Sequence, residues 1–141
     1  LGHVYQAGTL SGNPLATAAA NATLEVLAAD GGPARAYARL ESTAANLAVG
    51  LVRAAADAGV PVTINRVGSI LSCFFTARPV RNFDEVRATD VVAFKKFFAA
   101  MLERGVYLAP SAYEAMFVSL AHTQQDIERT VEAARESFRR L

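Results

Sequence analysis

Six apolar positions, Leu40, Ala44, Leu47, Leu51, Ala54 and Ala58, recur at i, i+4, i+7, i+11, i+14 and i+18. That spacing commits the middle of the chain to a long helix, from about Ala34 to Ala58, with one buried face. Gly59 supplies its stop, and directly afterwards the pattern changes. Val62 to Val67 and Ile70 to Phe75 are rich in β-branched and aromatic residues and are joined through Gly68-Ser69, which predicts a β-hairpin. The second run (Ile70, Leu71, Cys73, Phe74, Phe75) is apolar on both faces, so a central strand with cover on each side is expected. A one-faced helix feeding a hairpin predicts an α+β fold, a small, largely antiparallel sheet covered by helices and preceded by the long connecting helix.

The flanking elements read as follows. Asn13-Pro14 places an N-cap residue before proline at the first helical position, and Leu15, Ala18, Ala19, Ala22 and Val26 then recur at helical spacing. The small side chains on that face permit close approach of a neighbour; Asp30-Gly31-Gly32-Pro33 ends the helix. From Thr76 to Thr89 the sequence is polar without a clear period, and a loop of this length is either functional, mobile or a solvated excursion. Asp90 caps a third helix with the stripe Phe94, Phe97, Phe98, Met101 and Leu102, closed by Gly105. Val106 to Leu108 and Met116 to Leu120 read as two short strands. Thr123 and Asp126 form a capping-box start to a last helix whose stripe is Ile127, Val131, Ala134, Phe138 and Leu141.

Composition narrows the function classes. With 14 basic and 13 acidic side chains the formal charge is +1, which argues against an electrostatic nucleic-acid binder. Apolar residues make up 52% and charged ones 19%; disorder is excluded, and there is more apolar area than a small core needs, so some is expected to meet another protein surface. The longest apolar run, Leu15 to Ala29, is interrupted by Asn21 and Glu25 and is too short to cross a bilayer. The lone Cys73 leaves no internal disulfide and fits a reducing cytoplasm; in an apolar strand it should be inert. His3 and His122 are far apart and supply no zinc site, and His122 reads as a structural hydrogen-bonding residue. The chain starts at Leu1 without an initiator Met or a charged segment before an apolar one, so a piece of a longer polypeptide without a signal peptide is expected.

Two places could carry chemistry. Gly8-Thr9-Leu10-Ser11-Gly12-Asn13-Pro14 joins flexible backbone, two hydroxyls and a helix start, a combination that suits a phosphate and serves equally as a bare structural turn. It is neither a Walker A loop nor a dinucleotide fingerprint. Glu114 stands in a short segment after Pro110 and Ser111, where an acid can be aimed into a cleft or simply face solvent. Lysine occurs only at Lys95 and Lys96, beside the apolar stripe of the third helix; both are expected to point to solvent, unlike a desolvated Schiff-base lysine.

Several longer words are shared with one family. Val4-Tyr5-Gln6-Ala7-Gly8-Thr9-Leu10-Ser11-Gly12-Asn13-Pro14-Leu15 resembles the glutamate-1-semialdehyde 2,1-aminomutase family of the class III aminotransferase group, fold-type I PLP enzymes. The likeness resumes at Asn65-Arg66-Val67-Gly68-Ser69, at Phe74-Phe75-Thr76, from Phe97 to Ser111 and from Phe117 to Thr123. It implies the C-terminal portion of such an enzyme, with residues 1–30 ending the large cofactor-binding domain and starting the connecting helical segment, and residues 31–141 forming the small α+β domain. It further implies that Gly8 and Thr9 contact the phosphate of pyridoxal 5'-phosphate held by the neighbouring subunit of a homodimer. Glu114 would match the family's active-site glutamate, where many related aminotransferases put an arginine for a substrate α-carboxylate. The implied reaction converts glutamate-1-semialdehyde, a small molecule, to 5-aminolevulinate for tetrapyrrole synthesis in the cytoplasm, with no metal, membrane or nucleic acid. The Schiff-base lysine and the carboxylate that pairs with the cofactor ring lie upstream of the stretch matching Leu1 in that family, so this piece alone is expected to be inactive. Thr17, Ala20, Ala112 and Met116 depart from the family's usual residues and leave specificity open. Two other readings remain: a piece of another class III aminotransferase that uses an external amino donor, and a non-catalytic α+β interaction module.

Overall fold

The computed structural model describes residues 7–29 and 31–141. His3, the opening Val4-Tyr5-Gln6 of the first shared word and Asp30 of the predicted helix stop lie outside them. The chain divides into two compact units between Ala36 and Tyr37.

The first unit holds a turn over residues 8–12, helix α1 (Pro14–Ala28) and the start of helix α2 (Gly32–Asp57). Helix α1 begins where the sequence predicts, because the Asn13 side chain accepts a hydrogen bond from the Ala16 amide at 2.9 Å and Pro14 needs no partner at the first position. It buries no residue. Leu15 is 81% and Val26 68% exposed, so the small-residue face has no cover among the described residues.

The second unit contains the rest of α2, strands β1 (Thr63–Val67) and β2 (Ile70–Phe74), helices α3 (Phe83–Arg87) and α4 (Val91–Glu103), strand β3 (Met116–Phe117) and helix α5 (Gln124–Phe138). The sheet is antiparallel throughout in the order β1-β2-β3, with Thr63 opposite Phe74, Val67 opposite Ile70 and Ile70 opposite Phe117. The hairpin turns at Gly68, whose φ of 55° is open to glycine at little cost. Strand β2 is central, as expected, and Leu71, Cys73 and Phe74 are buried; Ile70 is 41% exposed, so cover on both sides stops short of the strand's first residue.

Helices close over the sheet through side chains set by their periodicity. Ala44, Leu47, Leu51, Ala54 and Ala55 of α2, Phe94, Phe97 and Met101 of α4, and Ile127, Ala133, Ala134 and Phe138 of α5 share one core with Leu71, Cys73 and Phe75. Phe97 and Phe138 stack with centroids 4.4 Å apart, and Phe75 meets both, at 5.5 and 6.0 Å. Full burial of each such ring contributes about 1.5–3 kcal/mol. At the rim, Arg140 pairs with Glu103 at 3.0 Å and Arg104 with Glu136 at 3.6 Å.

Four expectations are corrected. The polar segment from Thr76 to Thr89 is not structureless: Asn82 caps α3 by accepting from the Glu85 amide at 3.0 Å, and Val80 is buried. Val106 to Leu108 is not a strand, since the Val106 amide turns back to the Met101 carbonyl at 3.0 Å and closes α4. The strand over Met116 to Leu120 shrinks to two residues, because after Val118 bonds to the Ser69 carbonyl the chain folds onto a turn between Ser119 and His122. Leu102 and Leu141 are exposed and leave their predicted stripes.

Gly50 of α2 lies directly against Val131 of α5. A Cβ there would overlap Val131 Cγ2 and sit 3.1 and 3.3 Å from Val131 Cγ1 and Cβ, and rotation of the valine cannot move its own Cβ away. Overpacking of this kind costs about 1–3 kcal/mol, against about 1 kcal/mol regained from helix propensity. Gly50→Ala should therefore lower unfolding free energy in urea, with Val131→Ala in the same chain restoring part of the loss; equal stability of Gly50→Ala and wild type would refute the close contact. The start of α5 generates a second expectation. The Thr123 hydroxyl, then its amide, hold the Asp126 carboxyl below the ordinary carboxylate range. A folded pKa below the unfolded one means that this contribution is complete above about pH 4 and is lost as pH falls through the folded value. Asp126→Asn should flatten the fall of melting temperature on acidification below about pH 4; an unchanged slope would remove Asp126 from the acid response.

Candidate functional site

The glycine-rich turn is built by its own backbone and by Asn13. The Ser11 amide donates to the Gly8 carbonyl at 3.1 Å, the Asn13 amide to the Leu10 carbonyl at 3.1 Å, and Asn13 Nδ2 to that same carbonyl at 2.6 Å. Since Asn13 Oδ1 caps α1, one side chain clamps the turn to the helix. Ser11 Oγ occupies the place that a Cβ on residue 8 would take, an overlap that rotation of the exposed serine side chain would relieve. Gly8 and Thr9 are exposed. No charged side chain occurs from Ala7 to Leu24, so no charge within that stretch repels an anion, and what the stretch offers one is hydroxyl and amide donors. This donor set fits a phosphate group. The helix itself has less to offer than its sequence suggests, because Asn13 and Pro14 already account for part of its N-terminal donor set.

Glu114 belongs to the second unit, on a turn between Leu108 and β3. Ala112 is buried and anchors the turn, the Tyr113 amide donates to Ser111 Oγ at 3.2 Å, and the Glu114 amide donates to the Ser111 carbonyl at 3.2 Å. The Glu114 side chain is exposed. The carboxylate is thus presented to the outside from a locally braced turn.

The remaining sequence candidates fall into place as supporting residues. Lys95 and Lys96 are exposed on α4, as expected. His122 is structural: its Nδ1 accepts from the Ser119 amide at 3.0 Å and lies 3.1 Å from the Ser119 hydroxyl. Among the described residues, no three His, Cys, Asp or Glu side chains come together as a metal site, and no helix is long and apolar enough to cross a membrane. A groove of about 520 Å³ is lined by Arg104, Tyr107, His122, Asp126, Arg129 and Glu136 among others and includes neither Glu114 nor the turn before α1. Sequence reasoning missed the second bond of Asn13, to Leu10, although an Asx residue after a glycine turn is the available signal. It also missed the contact between Phe83 and Tyr113, which no local pattern announces.

No family model matches the chain. Among curated proteins, the glutamate-1-semialdehyde 2,1-aminomutase of Thermus thermophilus is 51% identical over 138 residues, 98% of this chain and 32% of that protein. Among solved structures, an omega-transaminase from Sphaerobacter thermophilus superimposes with a TM-score of 0.75 at 21% identity, over 96% of this chain and 30% of that one. The FumI protein of Sphingopyxis sp. MTA144, solved as its PLP internal aldimine form, gives 0.72 at 25% identity, over 96% and 29%. The chain spans about a third of the length of the curated relatives it matches. Over that stretch it is related to the glutamate-1-semialdehyde 2,1-aminomutases, and its α+β fold is one found in PLP-dependent transaminases.

The free thiol yields a check on the core. Cys73 is buried in β2, and burial pushes its thiol up to about 12. Near pH 8 the folded chain should hold roughly one thiolate in ten thousand, so a thiol reagent should label Cys73 only after addition of denaturant. Stoichiometric labelling of the folded chain would contradict the buried position.

Proposed function

We propose that the chain is the C-terminal third of a PLP-dependent glutamate-1-semialdehyde 2,1-aminomutase, a cytoplasmic homodimer that makes 5-aminolevulinate for tetrapyrrole synthesis. The observation that carries this is identity of about half the residues along nearly the whole chain with an enzyme of that name. On this reading residues 1–30 complete the large domain and residues 31–141 form the small one. The exposed apolar face of α1 agrees with an element whose neighbours lie in the remainder of the parent.

Pyridoxal phosphate, when bound, supplies the electron sink for moving an amino group between adjacent carbons. This chain's part is binding and discrimination. Gly8 and Thr9 donate from amide and hydroxyl to the phosphate held by the neighbouring subunit, and the Asn13 clamp holds those donors in place before the ligand arrives, which lowers the ordering cost of binding. Glu114 faces the substrate. At the end of the molecule that bears an aldehyde there is no carboxylate for an arginine to pair with, and an acidic side chain repels α-carboxylates of ordinary amino acids, so it selects by rejection as well as by contact. The Schiff-base lysine belongs to the remainder of the parent, since Lys95 and Lys96 are both solvent-facing on α4, and the piece alone does not turn over.

The test uses the full-length protein. Thr9→Val removes a hydrogen bond to a charged group and should weaken cofactor affinity about tenfold or more, read by absorbance titration. Glu114→Ala should lower kcat/KM for 5-aminolevulinate formation from semialdehyde alone. If both variants match wild type, the site assignment is wrong; if turnover requires an added amino donor, the parent is an aminotransferase rather than a mutase.

A further inference from the structure

The segment from Thr76 to Asp90 and the turn carrying Glu114 are distant in sequence, yet one aromatic ring from each meets the other. Phe83, the first residue of α3, is 65% exposed and Tyr113 is 52% exposed; their ring centroids lie 6.2 Å apart at 54°. Rings so open to water bury too little area to hold a fold together. A tilted pair at this distance acts instead as a link between two surface elements.

Both ends of the link are fixed. Toward the sheet, Thr63 Oγ1 of β1 donates to the Thr76 and Arg78 carbonyls at 3.0 and 3.1 Å, and Asn65 Nδ2 donates to the Val80 carbonyl at 2.7 Å. The buried Val80 and the Asn82 cap then deliver Phe83 to its place. On the other side, Ala112 is anchored in the core and Ser111 holds the amides of Tyr113 and Glu114. Glu114 directly follows Tyr113, so whatever holds that ring also sets the direction in which the carboxylate leaves the turn.

We infer that Phe83 is a positioning residue for Glu114: by packing on Tyr113 it locks the orientation of the turn that presents the carboxylate, with β1 as the rigid base. The inference rests on the reading of Glu114 as the substrate-facing group. It gives the polar segment from Thr76 to Asp90 a purpose that neither the cofactor turn nor the core requires, that of a brace. Loss of the ring lets the turn sample other directions, and the cost appears when substrate binds, while cofactor affinity stays as it was.

A double-mutant cycle in the full-length protein decides the matter. Phe83→Leu keeps an apolar side chain and removes the ring. In the presence of Glu114 it should lower kcat/KM for semialdehyde about fivefold, chiefly through KM, with cofactor titration and melting temperature near wild type, and Phe83→Tyr should restore activity. In the Glu114→Ala background the same change should cost less than about twofold, because the orientation of an absent carboxylate is immaterial. Wild-type kinetics for Phe83→Leu, or an equal fivefold loss in both backgrounds, overturns the inference while leaving Glu114 in its role. Wild-type kinetics for Glu114→Ala overturns the reading beneath it, and the inference with it. Should Phe83→Leu fail to fold, Tyr113→Leu run through the same cycle reads the link from its other end, with the same two outcomes.

Discussion

The second unit depends on three rings. Phe75, just past the end of β2, touches Phe97 of α4 and Phe138 of α5, and the last two stack on each other. Three elements that share no local pattern are thereby held at one point, and α2 lays its apolar face over the same core. Apolar area removed from water is the dominant stabilising term in a domain of this size, so these contacts, more than the rim ion pairs, set the distances between elements. The exposed pairs between Arg140 and Glu103 and between Glu41 and Arg66 add little by comparison.

The positions proposed to bear on chemistry share a construction, each within its own unit. Asn13 clamps the turn carrying Gly8 and Thr9 to the helix behind it, and Ala112 with Ser111 braces the turn carrying Glu114 against the core. Each proposed group sits on a short exposed segment while its support is hydrogen-bonded or buried, the usual division between a rigid scaffold and the loops it presents. Among its described residues the first unit, unlike the second, has no buried core. Helix α1 buries nothing, although it is strongly apolar.

Much of this was legible in the residues. The caps at Asn13, Asp90 and Thr123, the hairpin turn at Gly68 and, apart from Leu102 and Leu141, the stripes of α2, α4 and α5 are where the pattern puts them. The inert Cys73 and the structural His122 also behave as their surroundings in the sequence suggest. Reading failed where an element needed a distant partner. Val106 to Leu108 has strand-like residues but no neighbouring strand among the described residues, and its first amide closes a helix instead. The segment from Thr76 to Thr89 lacks a period because it is shaped one residue at a time, by Thr63, Asn65 and a buried Val80.

By itself, then, the order of residues determined the four long helices, the hairpin and the α+β class, because caps, turns and periodicity act between residues a few positions apart. Shared words also made the glycine-rich turn and Glu114 the places where chemistry is proposed. Tertiary structure alone decided that Gly50 must admit Val131, that Phe83 meets Tyr113, and that β3 is two residues long. Those outcomes hinge on packing between side chains far apart along the chain, and no local propensity encodes which distant surface a ring or a methyl group will meet.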